Sequence, residues 1–167
     1  MPFNPGTEIN DINKLTKDGT VLVSSFEITN STAKNTVLAP GKEMTIREVK
    51  IETVPAYNIT KTQFHARSKN FVGYIVTIDG VKIYHAGDTE RIPEMKTISC
   101  DIVMIPIGQT YTMNSVDEAV LSVLDVKAGI AIPIHFGLYE GTNQDADKFV
   151  DDLKKKGVKA VILDREK

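Results

Sequence analysis

Three features of the sequence predict an α/β fold. Between Met44 and Tyr84, short β-branched runs are separated by turn chemistry, including the two-residue hairpin signal Asp79-Gly80. From Ile102 onward, short apolar runs alternate with stretches of helical apolar spacing. Those C-terminal runs are nearly continuous in Val, Ile and Ala, as in strands buried on both faces. An antiparallel N-terminal half followed by a strand–helix–strand–helix–strand half suits a layered sandwich, one domain over residues 1–167.

The elements follow in order. Thr7 to Lys17 reads as a helix, with Thr7 as N-cap, Ile9, Ile12 and Leu15 on one face, and Gly19 beyond its end. Thr20 to Ser24 is a short strand, and a short polar helix is expected around Ser31 to Asn35. After a turn at Ala39-Pro40-Gly41-Lys42 come strands at Met44–Ile46 and Val49–Val54. A polar loop runs from Ala56 to Asn70, and the strands Phe71–Ile78 and Val81–Tyr84 form the hairpin. The C-terminal half holds strands at Ile102–Pro106, Gly129–Ile134 and Val158–Leu163. Its helices span Ser115–Lys127 and Asn143–Lys156; Lys154, Lys155 and Lys156 complement the negative end of the second.

Composition narrows the function classes. Apolar residues make up 41% and charged residues 25% of the 167, an ordinary globular balance. With 20 basic and 22 acidic residues and no basic cluster, a nucleic-acid partner is not expected. No apolar run approaches the roughly 20 residues of a membrane helix, so no membrane partner is expected. Met1 to Gly6 lacks the basic and apolar regions of a signal peptide, and the cytoplasm is the expected location. The one cysteine, Cys100, has no disulfide or CxxC partner and reads as a small buried hydrophobe.

Polar residues at strand ends carry the chemistry. In His85-Ala86-Gly87-Asp88-Thr89, Gly87 allows a tight turn that presents Asp88 at a strand's C-terminal edge. A carboxylate there suits a metal or a water, and equally suits a cap on Ile92 to Met95. His135, in Pro133-Ile134-His135-Phe136-Gly137, is placed as a metal ligand or general base, or as a structural imidazole. Asn58, after Val54-Pro55-Ala56-Tyr57, is a turn residue or an amide ligand. His65 stands in the polar loop with Lys61, Arg67 and Lys69, a binding loop or a surface loop. No GxSxG, P-loop or GxGxxG motif is present.

Taken in order, Val54-Pro55-Ala56-Tyr57-Asn58, Gly73-Tyr74, the run Asp79 to Thr89, Pro106-Ile107-Gly108, Tyr111-Thr112-Met113 and Ile132-Pro133-Ile134-His135-Phe136 resemble the UlaG-like branch of the metallo-β-lactamase superfamily. The resemblance covers nearly the whole chain. It implies an αββα sandwich with a metal site at the sheet edges, and a hydrolase that uses a metal-bound hydroxide on lactones, phosphodiesters and related small molecules. It assigns Asp88 as the carboxylate bridging two metals, His135 as a ligand of the second, and Asn58 as a weak neighbour of both. Asp88 and His135 are accordingly the expected catalytic residues, with zinc or manganese as the cofactor.

The family's HxHxDH motif would lie just before a segment like Phe3 to Ile12, and no HxH pair occurs among His65, His85 and His135. The expectation is therefore a part of the sandwich that lacks the first strands of the N-terminal sheet. Such a chain is expected to be catalytically impaired and to bind metal weakly or not at all. Two other roles stay open: a non-catalytic binding module, or one half of a split hydrolase completed by a partner chain. Uncovered sheet favours a homo-oligomer, most simply a two-fold dimer.

Overall fold

The structure, a computed structural model, describes residues 5–28, 31 and 33–163, with side chains from residue 10 onward. It contains three α-helices among the described residues: α1 (Pro5–Leu15), α2 (Val116–Asp125) and α3 (Asn143–Lys155). The strands are β1 (Val21–Ser24), β2 (Lys34–Val37), β3 (Glu43–Ile46), β4 (Val49–Pro55), β5 (Val72–Ile78), β6 (Val81–His85), β7 (Ile102–Pro106), β8 (Ile130–Ile134) and β9 (Lys159–Ala160). The α/β class is as the sequence predicts.

Strands β3 to β9 form one seven-stranded sheet in chain order. Pairing is antiparallel from β3 to β6 and parallel from β6 to β9. Strands β4, β6, β7 and β8 thus run in one direction, and their C-terminal ends share one sheet edge. The segments that leave those ends begin with Ala56, Ala86, Ile107 and His135, so this topology gathers every polar candidate of the sequence at one place.

Helices α2 and α3 cover one face of the sheet. Val116, Ala119, Val120 and Val123 of α2 and Ala146, Phe149 and Leu153 of α3 pack on Val103, Ile105 and Ala131. Leu124, expected on the apolar stripe of α2, is 37% exposed instead. Both helices are capped as their sequences suggest. Ser115 accepts from the Glu118 N–H, and Thr142 forms a reciprocal capping box with Asp145.

The opposite face departs from expectation. Met104, Ile132 and Ile134, which alternate with the buried residues of β7 and β8, are only half-buried. Helices cover these strands on one face, and among the described residues the ribbon of β1 and β2 lies toward the other. Tyr74 Oη donates to the Val23 carbonyl at 3.2 Å, fastening that ribbon over β5.

Three boundaries also differ. The polar helix expected around Ser31 to Asn35 gives way to strand β2, which pairs in parallel with β1; residues 29, 30 and 32 lie outside the described residues. Asn35 explains the change: its amide donates to Ser24 Oγ at 2.7 Å and accepts from the Ile28 N–H at 2.8 Å. Those bonds fix an extended crossing that a helix would forbid. Helix α1 starts at Pro5, so Thr7 falls inside it rather than at its cap. The last strand is paired only at Lys159–Ala160, with one further bond from Val161 N–H to the Ala131 carbonyl.

Candidate metal centre

Asp88 reaches the sheet edge through two local devices. Gly87 takes φ +69°, and a Cβ there would stand 3.1 Å from the Val72 carbonyl oxygen, so the turn is closed to other residues. The next residue, Thr89, is fully buried; its hydroxyl accepts from the Tyr57 N–H and donates to the Tyr57 carbonyl. The Gly-Asp-Thr segment is thereby stitched to the end of β4, and Asp88 projects between the two strands' exits.

Two imidazoles meet Asp88. His65 Nε2 lies 3.2 Å from Asp88 Oδ2, and His135 Nε2 lies 3.3 Å from Asp88 Oδ1. The far side of each ring is occupied. His65 Nδ1 faces the Tyr111 carbonyl at 3.3 Å, and His135 Nδ1 faces Glu140 Oε1 at 3.3 Å. Asn58 Nδ2 also lies 3.5 Å from His65 Nδ1, but its two protons go to the carbonyls of Tyr111 at 2.7 Å and Lys61 at 3.1 Å. The Tyr111 carbonyl, the Glu140 carboxylate and Asp88 all only accept, so each ring meets an acceptor at both of its nitrogens.

A neutral ring has one proton for those two acceptors, so one of its nitrogens turns a lone pair toward an oxygen that also offers only lone pairs. That contact is repulsive unless a positive centre, a proton or a metal ion, stands between. Two donors on one tetrahedral zinc with bonds of about 2.0–2.1 Å stand about 3.3 Å apart, so both spacings suit a shared cation. An imidazole with one nitrogen tied to a carbonyl or carboxylate and the other turned to a metal is the usual arrangement of ligating histidines. Each pair offers a divalent cation two donors, one short of the three protein ligands a catalytic zinc normally has. Among the described residues no three His, Cys, Asp or Glu side chains form a ready shell for one ion; the geometry is two pairs sharing Asp88.

Electrostatics follow the geometry. Burial pushes the Asp88 carboxyl up, but the His65 hydrogen bond and the His135 charge outweigh it and hold the group below its ordinary value. Glu140 raises the His135 pKa by hydrogen bonding, against burial and with help from the Asp88 charge. His85 is pushed down, first by burial and then by the charge of His135. Its Nδ1 accepts from the Gly87 N–H at 3.1 Å, so it shapes the turn. His135 itself sits at φ +59°, a left-handed conformation that costs a non-glycine residue about 1–3 kcal/mol and clusters at functional sites.

The structure thus joins His65, Asp88 and His135, and sets Asn58 beside them. Asn58 is 1% exposed, and its Oδ1 has no hydrogen-bond partner among the described residues. Two carboxylates escaped the sequence reading. Glu90, 1% exposed, accepts from the N–H groups of Ile59, Thr60 and Lys61 and from the Thr60 hydroxyl, pinning the loop that carries His65. Glu140 clasps the loop after β7 as well as His135. Glu90 directly follows the Gly-Asp-Thr segment, which was the available signal; Glu140 had none.

Comparison with known proteins agrees. Residues 6–135 match the family described as "Beta-lactamase superfamily domain", and the chain belongs to that superfamily, in its metallo-β-lactamase branch. A UPF0173 metal-dependent hydrolase of Sulfurisphaera tokodaii is 35% identical over 109 residues, 63% of this chain and 48% of that protein. The chain thus spans about half that relative's length. One from Thermus thermophilus is 29% identical over 165 residues, 95% of this chain and 73% of that protein. The crystal structure of a Parabacteroides distasonis protein described as a metal-dependent hydrolase superposes with TM-score 0.81 at 34% identity, covering 94% of this chain and 70% of that one.

Proposed function

We propose that this chain supplies the Asp88-centred side of the metal site in a metal-dependent hydrolase acting on a small molecule. The observation that carries the reading is the paired arrangement: two Nδ1-anchored imidazoles with their Nε2 atoms on the two oxygens of one carboxylate. His65, Asp88 and His135 would hold the cation, zinc or manganese, which when bound polarises the scissile bond and acidifies water. Asp88 offers one oxygen to each imidazole and would serve a cation held at either pair. His65, 9% exposed, closes the inner side, and His135, 32% exposed, faces the entrance. Buried Asn58 Oδ1 is free to accept from a substrate or water.

Two pairs without a third ligand on either point to weak retention of metal by the residues of this chain alone, and to low hydrolytic activity until further donors join. Those donors would come from outside the two pairs. The half-open sheet face beside Met104 and Ile132 favours a second chain, either a partner that completes a split hydrolase or another copy in a homo-oligomer. A cytoplasmic location belongs to this reading, supported by the single buried, free Cys100.

The test is zinc and manganese content after loading and desalting, in the wild type and in Asp88→Asn. Retained metal that falls at least tenfold in the variant supports the assignment. Equal retention in both, or no zinc bound by either in equilibrium dialysis against excess zinc, removes it.

A further inference from the structure

The loops that carry His65 and His135 also carry an apolar rim. Leu138 and Tyr139 are 72% and 69% exposed, and Phe64, next to His65, is 39% exposed. Their presentation is fixed by the backbone. Gly137 and Gly141 take φ +77° and +62°, and the Gly137 N–H donates to the Gly141 carbonyl at 3.0 Å, closing the turn that leaves β8. Glu140 turns inward from it, its side chain 5% exposed, and Oε2 accepts from the N–H groups of Thr110 at 3.2 Å and Tyr111 at 2.8 Å. Leu138 and Tyr139 stand at the tip of this clamped turn. Tyr111 continues the rim. Its ring meets Phe64 edge to face, with centroids 5.0 Å apart and planes at 86°, and its carbonyl faces His65 Nδ1 at 3.3 Å. The loops leaving β4, β7 and β8 are thus tied side by side, and the rim runs from His65 to His135.

Charge in the same region is already committed. Lys61 Nζ donates to the carbonyls of Gln109 at 3.1 Å and Met113 at 2.7 Å. Arg67 donates to Glu94 at 2.9 Å and lies over the Tyr57 ring, 5.0 Å from its centroid. Two of the three cations Lys61, Arg67 and Lys69 in the loop that carries His65 therefore hold the protein together. A phosphate or carboxylate arm on a substrate would find those donors taken. An uncharged ring would instead bury apolar area against side chains held ready for it.

We propose that the rim of Phe64, Tyr111, Leu138 and Tyr139 binds an uncharged aromatic group of the substrate, with the scissile group placed at the Asp88 pairs. The proposal rests on reading His65, Asp88 and His135 as cation ligands of a hydrolase, and it narrows the small molecule of that reading to an aryl-bearing one. Three of the four rim side chains are aromatic, and rings favour the edge-to-face and offset contacts that a flat partner can return. Ring binding itself needs no metal.

The test uses phenylacetamide, a neutral aryl probe, and cyclohexylacetamide, its saturated counterpart. Each is titrated into the metal-free, 15N-labelled protein and followed by 1H–15N correlation spectra. The expected result is saturable shifts at the backbone N–H groups of Phe64, Tyr111, Leu138 and Tyr139, with the phenyl probe binding more tightly than the cyclohexyl one. Tyr139→Ser and Phe64→Ser should each weaken the phenyl probe about 2–10-fold. Tyr139→Ser replaces a largely exposed side chain and decides the matter should Phe64→Ser fail to fold. The inference is overturned by shifts that do not saturate, by shifts centred on Met104 and Ile132 instead, by equal affinity for the two probes, or by unchanged affinity in Tyr139→Ser. A wild type that binds the phenyl probe but no zinc defeats the ligand assignment alone, and one that binds zinc but neither probe defeats the rim alone.

Discussion

His65 and Glu140 show what separates a readable residue from an unreadable one. Asp88 and His135 follow strand ends in motifs that resemble a family, and the structure brings them to 3.3 Å. His65 was visible only as a polar loop residue, because its place depends on the Asn58 N–H bond to the His65 carbonyl at 2.7 Å, a contact that closes the loop. Glu140 lies five residues after His135 in a stretch with no helical or strand period, and its partners other than His135 are 28 to 30 residues away in the chain. Gly108 carries the same information from the other side. Its φ is not in the left-handed region, so alanine fits the backbone there, and the three nearest atoms to its Cβ all belong to Glu140. Gly108→Ala is therefore expected to displace Glu140 and, through His135 and the Tyr111 N–H, to lower zinc affinity, with little change in the far-UV circular dichroism spectrum. A variant that binds zinc like the wild type would show that Glu140 has slack that the geometry denies.

At the scale of elements, apolar period and turn chemistry located α2, α3 and β3 to β8 well, because local signals and burial agree there. The β1–β2 ribbon was half missed: Lys34–Val37 is polar and lies on no buried stripe, so only the Asn35 bridge makes it extended. The capping box of α3 offers a direct measurement. Thr142→Ala removes the N-cap acceptor and should cost about 1 kcal/mol at neutral pH by thermal melting. Asp145 is held below its usual 3.8 first by the Thr142 hydroxyl, with burial opposing. A depressed carboxyl stabilises above its unfolded pKa and loses that contribution as pH falls through the lower folded value. The gap between wild type and variant should therefore shrink below about pH 3.8. A gap that stays constant into strong acid would remove Asp145 from the box.

For the whole molecule, the asymmetry of the sheet matters most. Helices seal one face, while the other leaves Met104, Ile132 and Ile134 half-buried beside a groove of about 630 Å³ that also includes His135 and Phe136. Continuous apolar runs had suggested two covered faces, since hydrophobicity shows that a strand can be buried without showing that a layer exists to bury it. Light scattering of this chain should show association at rising concentration, and Ile132→Lys should weaken it. A monodisperse monomer at every concentration would remove the second copy from that face and leave only a different partner chain. The strand order has a different consequence. Every strand of the large sheet is bonded to its neighbours in the chain, so no connection has to thread past another strand. The loops leaving β4, β6, β7 and β8 can then lengthen, shorten or be exchanged without rewriting any pairing, at a closure cost that grows only slowly with length. Such a scaffold can change its substrate by editing one rim, and libraries aimed at new activities should be confined to those four loops.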